Sequence, residues 1–404
     1  MSHFVLSSAL KKIAAVTTIG LTFIGSAHAA PEAINVGPNG ETVTLHPYSS
    51  QSISANGAVV FFHGEVTKGG GVPVLARDRQ LRTTQILTKT LGGQTANAYS
   101  LGNTAASADG RYVIFDSSDS NLVANDTNET RDVFLADRKT GLISRVNVAD
   151  DGAQAEKGSN NRVGSISADG RYVTFISGAR NLDSSVADNG YILNIFVRDL
   201  VKGTTKRINV TSDNNNGTSL SGWPNYLRPK ISADGRFVIF YSPHLLAPNG
   251  TGLYIRDQLA GTTSPLNVPA SGDAQWTLSA NGRFVSYYNS NSGEVEVYDR
   301  QANSIEKLLS GNSLFGGDAP TSLSANGRYV TYRSNSGSTN GTLYAVVYDR
   351  QTKTSAKLSN YGATGSNAAI SGDGRHIVVE NVVIANPLFQ EDGFCSIYNP
   401  YVSE

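Results

Sequence analysis

Residues Ile166–Phe175 read ISADGRYVTF and decide the fold, because close variants of this phrase occur seven times along the chain. Each copy places Asp-Gly or Asn-Gly between two apolar runs, the strongest short signal for a β-hairpin. The turn glycines stand 45 to 65 residues apart, at Gly57, Gly110, Gly170, Gly235, Gly282, Gly327 and Gly374. A repeat of this length, rich in β-branched and aromatic residues, predicts a series of small stacked β-sheets.

Each repeat contains four candidate strands, and the third repeat is the clearest example. Its strands are read as Ser165–Ser167, Arg171–Phe175, Ile195–Asp199 and Lys206–Val210. Both faces of the second strand are apolar, as a sheet between two neighbouring sheets requires. Radial stacking of such sheets predicts an all-β fold, a seven-bladed β-propeller of four-stranded antiparallel blades.

The N-terminal strand is predicted to complete the last blade. The seventh repeat supplies only three candidate strands, the third of them at Ser396–Asn399. The triplet Ile34–Val36 is similar to Val146–Val148 and Ile208–Val210, which we interpret as fourth strands. We therefore expect the N-terminal segment to close the ring, which removes an open sheet edge.

The first 29 residues have the features of a signal peptide. Lys11 and Lys12 precede the apolar stretch Ile13–Ala27, and Ala27–Ala29 has the small-x-small cleavage pattern. The apolar stretch is too short to favour a membrane span. The sequence predicts cleavage near Ala29, a periplasmic or secreted protein, and one propeller domain over residues 30–404.

Composition narrows the range of partners. The chain has 33 basic and 33 acidic residues, so no overall field attracts nucleic acid or an anionic membrane. Its one cysteine, Cys395, excludes an internal disulfide. No cofactor is expected, and we expect a monomer.

Several repeats resemble the WD40-like repeats of TolB-type propellers, also called PD40 repeats. The resemblance lies in Ile166–Phe175, Ile231–Phe240 and Leu323–Tyr332, and Asn121–Phe134 is similar to a subgroup of exported bacterial repeat proteins. It covers nearly all of the predicted mature chain and implies the propeller fold. It implies no single function, because such repeats serve scaffolds, binding proteins and some enzymes. The chain departs from TolB itself in having seven repeats instead of six.

A pair of charged residues recurs at the same positions in five repeats. An Arg opens the second strand and an Asp ends the third, and antiparallel pairing brings these strand ends together. We interpret them as structural ion pairs: Arg111 with Asp137, Arg171 with Asp199, Arg236 with Asp257, Arg283 with Asp299, and Arg328 with Asp349.

Asp126, Asn128 and Asp132 form a candidate calcium loop. Their spacing is similar to the start of an EF-hand loop, but the glycine at the sixth position is missing. The alternative is an ordered polar loop built from Asx turns. His63 and His244 lack the spacing of a zinc site, so no other metal is predicted.

The connections between strands are long in one sector of the ring. Loops from strand two to strand three and crossings to the next blade share one face, and blades two to four enlarge them. The candidate ligand-binding residues there are Arg180, Asp183, Asp188, Tyr191, Trp223, Tyr226, Arg228 and His244. Aromatic rings among polar side chains suit a glycan or a protein partner. The alternative is that Trp223 and Tyr226 have only a structural role and pack the long crossing against the rest of the propeller.

These observations predict an exported, non-enzymatic binding or scaffold propeller. Its expected partner is an envelope or extracellular protein or a glycan, held by the loop face of blades two to four. Two alternatives stay open: a carbohydrate-active enzyme of the polysaccharide lyase kind using the same face, and a structural adhesin or matrix protein. No residue is proposed as catalytic.

Overall fold

The computed structural model describes residues 31–45, 51–66, 71–98, 104–184, 193–212, 228–242, 252–269, 276–289, 291–308, 321–334, 344–358, 368–379 and 382–389. These ranges contain strands and turns but no helix, and hence no helix that could cross a membrane. The predicted signal peptide and its cleavage site lie outside them.

The strands of these ranges form seven antiparallel sheets, which confirms the predicted seven-bladed propeller. Blade one contains β2 (Thr44–Leu45), β3 (Ser52–Ile53), β4 (Val59–Glu65), β5 (Val74–Asp78) and β6 (Thr83–Ile86). Blade two contains β7 (Ala105–Ala106), β8 (Tyr112–Ser117), β9 (Asp132–Asp137) and β10 (Ile143–Arg145). Blade three contains β11 (Arg162–Ile166), β12 (Tyr172–Ser177), β13 (Asn194–Asp199) and β14 (Thr204–Arg207).

The remaining blades repeat this order. Blade four contains β15 (Lys230–Ile231), β16 (Phe237–Ser242), β17 (Gly252–Asp257) and β18 (Thr262–Pro265). Blade five contains β19 (Trp276–Leu278), β20 (Phe284–Asn289), β21 (Glu294–Asp299) and β22 (Ser304–Lys307). Blade six contains β23 (Ser322–Leu323), β24 (Tyr329–Ser334), β25 (Tyr344–Asp349) and β26 (Thr354–Lys357). Blade seven contains β27 (Ala368–Ile370), β28 (His376–Val379), β29 (Val382–Ala385) and β1 (Glu32–Ala33).

The N-terminal strand closes the last blade, as predicted, because β1 pairs antiparallel with β29. The predicted third strand of that blade, Ser396–Asn399, is wrong. The third strand is β29, an apolar run that pairs residue by residue with β28, and Ser396–Asn399 lies outside the described residues. Ala385 stands where the other third strands end in Asp, so the motif used for the prediction is missing here.

Two further details differ from the sequence interpretation. Blade one has a fifth short strand, because β2 pairs with the far end of β4. The Asn-containing triplets follow the fourth strands and are not part of them. Their side chains hold the third strand instead: Asn147 Oδ1 accepts from Val133 N at 2.8 Å, and Asn209 Oδ1 accepts from Ile195 N at 3.0 Å. Each Asn thus satisfies a buried backbone donor.

A closed belt of backbone hydrogen bonds runs around the ring at the hairpin turns. In six blades the Ala of the turn phrase donates its N–H to the carbonyl of the equivalent residue in the next blade, which is Gly372 in blade seven, and Asp373 N donates to Ala55 O to complete the circle. The seven bonds are 2.8 to 3.0 Å long. This belt explains why the phrase recurs in every blade.

The turn glycines also set the spacing between blades. Gly235 has a φ of +75°, which L side chains rarely adopt, and a Cβ there would lie 2.2 Å from Tyr172 Cδ2 of the preceding blade. Gly170 makes the same contact with Tyr112. An aromatic ring of one blade therefore packs directly on the turn of the next.

We call the face with these turns the lower face. The loops from strand two to strand three and the crossings between blades lie on the opposite, upper face, because successive strands run antiparallel. First strands of neighbouring blades contact one another all the way round, so they surround the central channel.

Candidate site at the upper mouth of the channel

The structure joins the five Arg–Asp pairs at the lower face. Arg171 Nε and Nη2 donate to the two carboxylate oxygens of Asp199 at 2.9 and 2.7 Å, and the guanidinium carbon lies 4.7 Å from the centre of the Tyr172 ring. In the other four pairs the shortest distance between Arg and Asp is 2.6 to 2.8 Å. The hydrogen bonds from Arg171 lower the pKa of Asp199 to about 2. Both groups are fully engaged with each other, which fits a structural role.

In the candidate calcium loop, an arginine supplies the positive charge. Arg145 Nε lies 3.1 Å from Asp132 Oδ2, and Arg145 Nη2 lies 3.2 Å from Asp126 Oδ1. Asp132 Oδ1 also accepts from the side-chain amides of Asn147 at 2.6 Å and Asn128 at 3.0 Å. These amides and Arg145 lower the pKa of the Asp132 carboxyl, but burial raises it and prevails. Among the described residues, no group of three or more His, Cys, Asp or Glu could hold a metal ion.

Three of the eight candidate ligand-binding residues lie in described ranges, and they contact different parts of the molecule. Arg180 Nε lies 3.2 Å from Glu156 Oε1, which belongs to the crossing into blade three. Asp183 Oδ2 accepts from Arg207 N at 2.8 Å, at the outer edge of blade three. Arg228 lies beside the channel. The other five, Asp188, Tyr191, Trp223, Tyr226 and His244, lie outside the described residues.

Arg228 belongs to a group of charged side chains at the upper mouth, which we call the cationic cluster. Its members come from blades two to four: Arg131, Arg162, Arg228, Lys230 and one carboxylate, Asp116. Arg162 and Lys230 open first strands, Arg131 directly precedes β9, Arg228 lies two residues before β15, and Asp116 lies near the end of β8. All five positions are therefore at the upper ends of strands.

The contacts of the cluster include an ion pair and hydrogen bonds to backbone and side-chain oxygens. Arg131 Nη1 lies 3.3 Å from Asp116 Oδ2, and Asp116 is 1% exposed. Arg228 is 6% exposed and donates Nη1 to the carbonyl of Val163 at 3.2 Å. Arg162 Nη2 donates to Asn160 Oδ1 at 3.2 Å, whereas its buried Nε and Nη1 have no acceptor in the described chain.

The basic groups destabilise one another's charged forms. Burial lowers the pKa of Arg228 to about 10; the charge of Asp116 opposes this shift, and the charges of Arg162 and Arg131 contribute to it. Burial and then the charge of Arg228 lower the pKa of Lys230 to about 8. Burial and Arg131 also lower the pKa of Arg162. Charged groups that perturb one another's pKa in this way are common at functional sites.

The sequence interpretation missed Arg131, Arg162, Lys230 and Asp116, although one signal was available. Aligning the repeats on the turn glycine places Lys230 five residues before Gly235. The corresponding residues of the other repeats are all small and uncharged: Ser52, Ala105, Ser165, Thr277, Ser322 and Ala369. Lys230 is thus the one charged residue at this position of the seven repeats.

No protein-family model matches the sequence, and no curated protein matches it significantly. Many solved structures are similar to it in fold. An oligogalacturonate lyase in complex with manganese is 11% identical with a TM-score of 0.58, covering 89% of this chain and 95% of that protein. Oligogalacturonate lyase from Vibrio parahaemolyticus is 10% identical with a TM-score of 0.54, over 85% and 90% of the two chains. At these identities the likeness shows the propeller fold alone.

TolB from Acinetobacter baumannii is also similar. It is 17% identical with a TM-score of 0.47, and the match covers 82% of this chain. The chain spans 64% of the length of that TolB protein.

Proposed function

We propose that the protein is an exported binding propeller that recognises its ligand through the upper face of blades two to four. The cationic cluster is the observation that carries this proposal. The chain as a whole is neutral, yet the charges of Arg131, Arg162 and Asp116 all act on the buried Arg228, and the charge of Arg228 acts on Lys230. Neighbouring like charges cost folding free energy, so their concentration at the upper ends of three blades favours a role in binding over a role in stability.

Export and the class of partner rest on the sequence. Residues 1–29 have the pattern of a signal peptide, and a mature protein would meet envelope or extracellular molecules. The partner that we propose is an envelope or extracellular protein or glycan that presents acidic groups. Trp223 and Tyr226 belong to the crossing that leads to Arg228, so they would supply apolar contact beside the charged one.

A specific observation favours a second candidate function, a polysaccharide lyase. Burial and Arg228 lower the pKa of Lys230 to about 8. This value is close to the range in which the neutral amine can act as a general base. The arginine side chain beside it would neutralise the carboxylate of an acidic sugar. The neutral Lys230 amine would take the proton from the neighbouring carbon as the carbon–oxygen bond to the departing sugar breaks and a carbon–carbon double bond forms. This reaction would use the same face.

Binding to an array of glycans, peptidoglycan fragments and envelope proteins tests the proposal. Wild-type protein should retain a ligand that Lys230→Ala loses, with unchanged melting temperature. Lys202→Ala is the matched control, because Lys202 is an exposed lysine at a lower-face turn of blade three. Equal binding by wild type and Lys230→Ala would contradict the proposal. Ultraviolet absorbance of unsaturated products from acidic polysaccharides would support the lyase.

A further inference from the structure

Four exposed aliphatic side chains occupy equivalent turns in four successive blades. Each blade turns from its third to its fourth strand on the lower face, and this turn lies at the outer edge because the fourth strand is farthest from the channel. In blades one to four these turns carry side chains that are 69 to 79% exposed, Leu81, Leu142, Val201 and Leu259, which we call the lower rim. Among the described residues, the other exposed large hydrophobic side chains are Leu91 and Ile305.

We propose that the lower rim docks the protein on a lipid bilayer with anionic headgroups. The proposal goes beyond the proposed function, because it concerns the face opposite the one that binds the ligand there. The aliphatic side chains enter the boundary between headgroups and acyl chains, and basic side chains of the same turns contact the headgroups. The upper face then points away from the membrane, towards a ligand in the surrounding compartment.

The turns hold the aliphatic side chains outward. In blade four, Asp257 Oδ1 accepts hydrogen bonds from Leu259 N at 3.0 Å and Ala260 N at 3.1 Å. Gly261 N donates to the carbonyl of Asp257 at 2.8 Å and closes the turn. The corresponding aspartates cap the turns of blades one and three in the same way. The rim is therefore fixed before it meets a membrane, so little conformational entropy is lost on docking.

The turn itself does not require an aliphatic residue. Blades five and six form the same turn, capped by the Asp that ends their third strand. Two residues after that Asp, where blade four has Leu259, they have Gln301 and Gln351. Single exposed apolar residues are common on protein surfaces, but their recurrence at one turn of four adjacent blades indicates an interaction surface.

Basic side chains accompany the apolar ones. Arg82, Lys139 and Lys202 lie in the turns of blades one, two and three and are exposed, and none of them forms an ion pair within the described ranges. The aspartates that cap these turns are each paired with an arginine: Asp78 with Arg138, Asp137 with Arg111, and Asp199 with Arg171. The rim therefore carries local positive charge although the whole chain is neutral. Each basic residue near an anionic membrane surface strengthens binding about fivefold.

Acidic side chains of the lower face lie nearer the channel. Asp109, Asp169 and Asp234 stand in the hairpin turns between the first and second strands, which are the inner strands of each blade. Each accepts hydrogen bonds from the Ser hydroxyl and an Arg N–H of its own turn. An anionic membrane therefore contacts the outer edge, with the protein tilted towards blades one to four.

The separation of the aliphatic side chains favours a lipid surface over a protein partner. Stacked sheets lie about 10 Å apart, and blades diverge outwards from the channel, so neighbouring members of the rim are at least about that far apart. Protein interfaces bury a contiguous apolar centre in which the strongest contacts cluster. A bilayer accepts separate points of insertion, because its apolar layer lies beneath the headgroups everywhere.

Flotation with lipid vesicles tests the proposal. The protein is purified without residues 1–29, because their apolar stretch would itself enter a bilayer. It should float with vesicles of phosphatidylglycerol and phosphatidylcholine in equal parts, and at least tenfold less with phosphatidylcholine alone. Leu142→Ser with Leu259→Ser should bind the anionic vesicles at least tenfold more weakly at an unchanged melting temperature, because both side chains are exposed.

Matched variants separate the apolar and the charged contributions. Leu91→Ser with Ile305→Ser removes two exposed aliphatic side chains outside the rim and should bind as the wild type does. Arg82→Gln with Lys139→Gln should weaken binding to the anionic vesicles about twentyfold and leave binding to phosphatidylcholine unchanged.

Three results would overturn the membrane contact: no flotation with either kind of vesicle, equal affinity for both kinds, or equal affinity of the wild type and the Leu142→Ser, Leu259→Ser variant. Dimers of the wild type that form without vesicles and are lost in this variant would also overturn it and assign the rim to a second copy of the chain. Binding of soluble ligands by the upper face is a separate readout that contains no lipid. Lys202→Ala therefore removes a membrane contact without altering the ligand face.

Discussion

Arg79 Nε lies 2.9 Å from Glu32 Oε2, so an ion pair joins blade one to the strand that closes blade seven. Arg79 Nη1 also donates to the carbonyl of the turn glycine Gly57 at 2.6 Å. Arg350 repeats this arrangement between blades five and six, where it contacts Glu306 at 2.9 Å and the carbonyl of Gly327 at 2.8 Å. The seam of the ring is therefore held by the same side-chain contacts as a junction inside the chain.

A double-mutant cycle on Arg79 and Glu32 should reveal a coupling of about 0.5–1 kcal/mol, because both side chains are partly exposed and water screens them. The free energy of unfolding in urea measures it for Arg79→Ala, Glu32→Ala and the double variant. Arg350 and Glu306 provide the matched cycle at an internal junction. Strictly additive effects at the seam would mean that the pair does not hold it.

Gly235→Ala should destabilise the fold far more than Gly261→Ala. Both glycines have positive φ, +75° and +67°, so both substitutions carry a backbone cost of about 1 kcal/mol. The added Cβ would lie 2.2 Å from Tyr172 at Gly235, whereas nothing lies within 4 Å of it at Gly261. Melting temperatures of the two variants measure the difference. An equal decrease in melting temperature for both variants would show that the turn at Gly235 can move away from Tyr172 without destabilising the fold.

The fold was largely predictable because its determinants are local and repeated. The Asp-Gly or Asn-Gly turn fixes each hairpin, and the phrase that contains it also forms the backbone belt between blades. The errors arose where a long-range contact replaced a local signal. The third strand of blade seven ends in Ala385, and the next residue, Asn386, donates its side-chain amide to Gly374 O at 2.7 Å. Nothing in the sequence around Asn386 shows that its side chain makes this hydrogen bond and that a third strand ends beside it.

The candidate site was less predictable than the fold. The sequence placed the special sector in blades two to four and included Arg228, but Arg180 and Asp183 contact Glu156 and the outer strand instead. Arg131 and Arg162 lie 31 residues apart in sequence, and only the packing of β11 of blade three against β8 and β9 of blade two brings them together. Charge clusters of this kind depend on tertiary geometry, which a search for motifs does not detect.

The free energy of unfolding should decrease at acidic pH, because the aspartates of the Arg–Asp pairs take up protons. The folded pKa of Asp199 is lowered to about 2, below its unfolded value of about 3.9, so the pair with Arg171 contributes its full stability above about pH 4. That contribution, on the order of 1 kcal/mol for a partly exposed pair, is lost as the pH falls from about 4 to 2. Unfolding free energies measured across this range test it.

The control for acid unfolding is Arg171→Gln, which removes the partner and should return the pKa of Asp199 towards its ordinary value. This variant should lose less stability between about pH 4 and 2 than the wild type does. A pKa near 4 for Asp199 in the wild-type protein, measured by carboxyl-carbon NMR, would contradict the expected strength of the pair.

Trp223→Ala distinguishes the two roles left open for the long crossing before blade four. If Trp223 contacts the ligand, binding should fall at least tenfold while the melting temperature stays unchanged. Tyr226→Phe is the companion variant, because it keeps the ring and removes only the hydroxyl. A lower melting temperature with retained binding would instead mean that Trp223 pins the crossing to the body.

Binding of a ligand with acidic groups should weaken as the pH rises from 7 to 9. Burial and Arg228 lower the pKa of Lys230 from 10.5 to about 8, so its charge is present below this pH and lost above it. Because an acidic group beside Lys230 favours the charged lysine, binding should raise the pKa of Lys230 and cause uptake of a fraction of a proton, which calorimetry in two buffers detects. Lys230→Arg should bind about equally well at pH 7 and 9, and Lys230→Gln should bind weakly at both. A wild-type affinity that is unchanged between these two values would exclude Lys230 as a contact of the ligand.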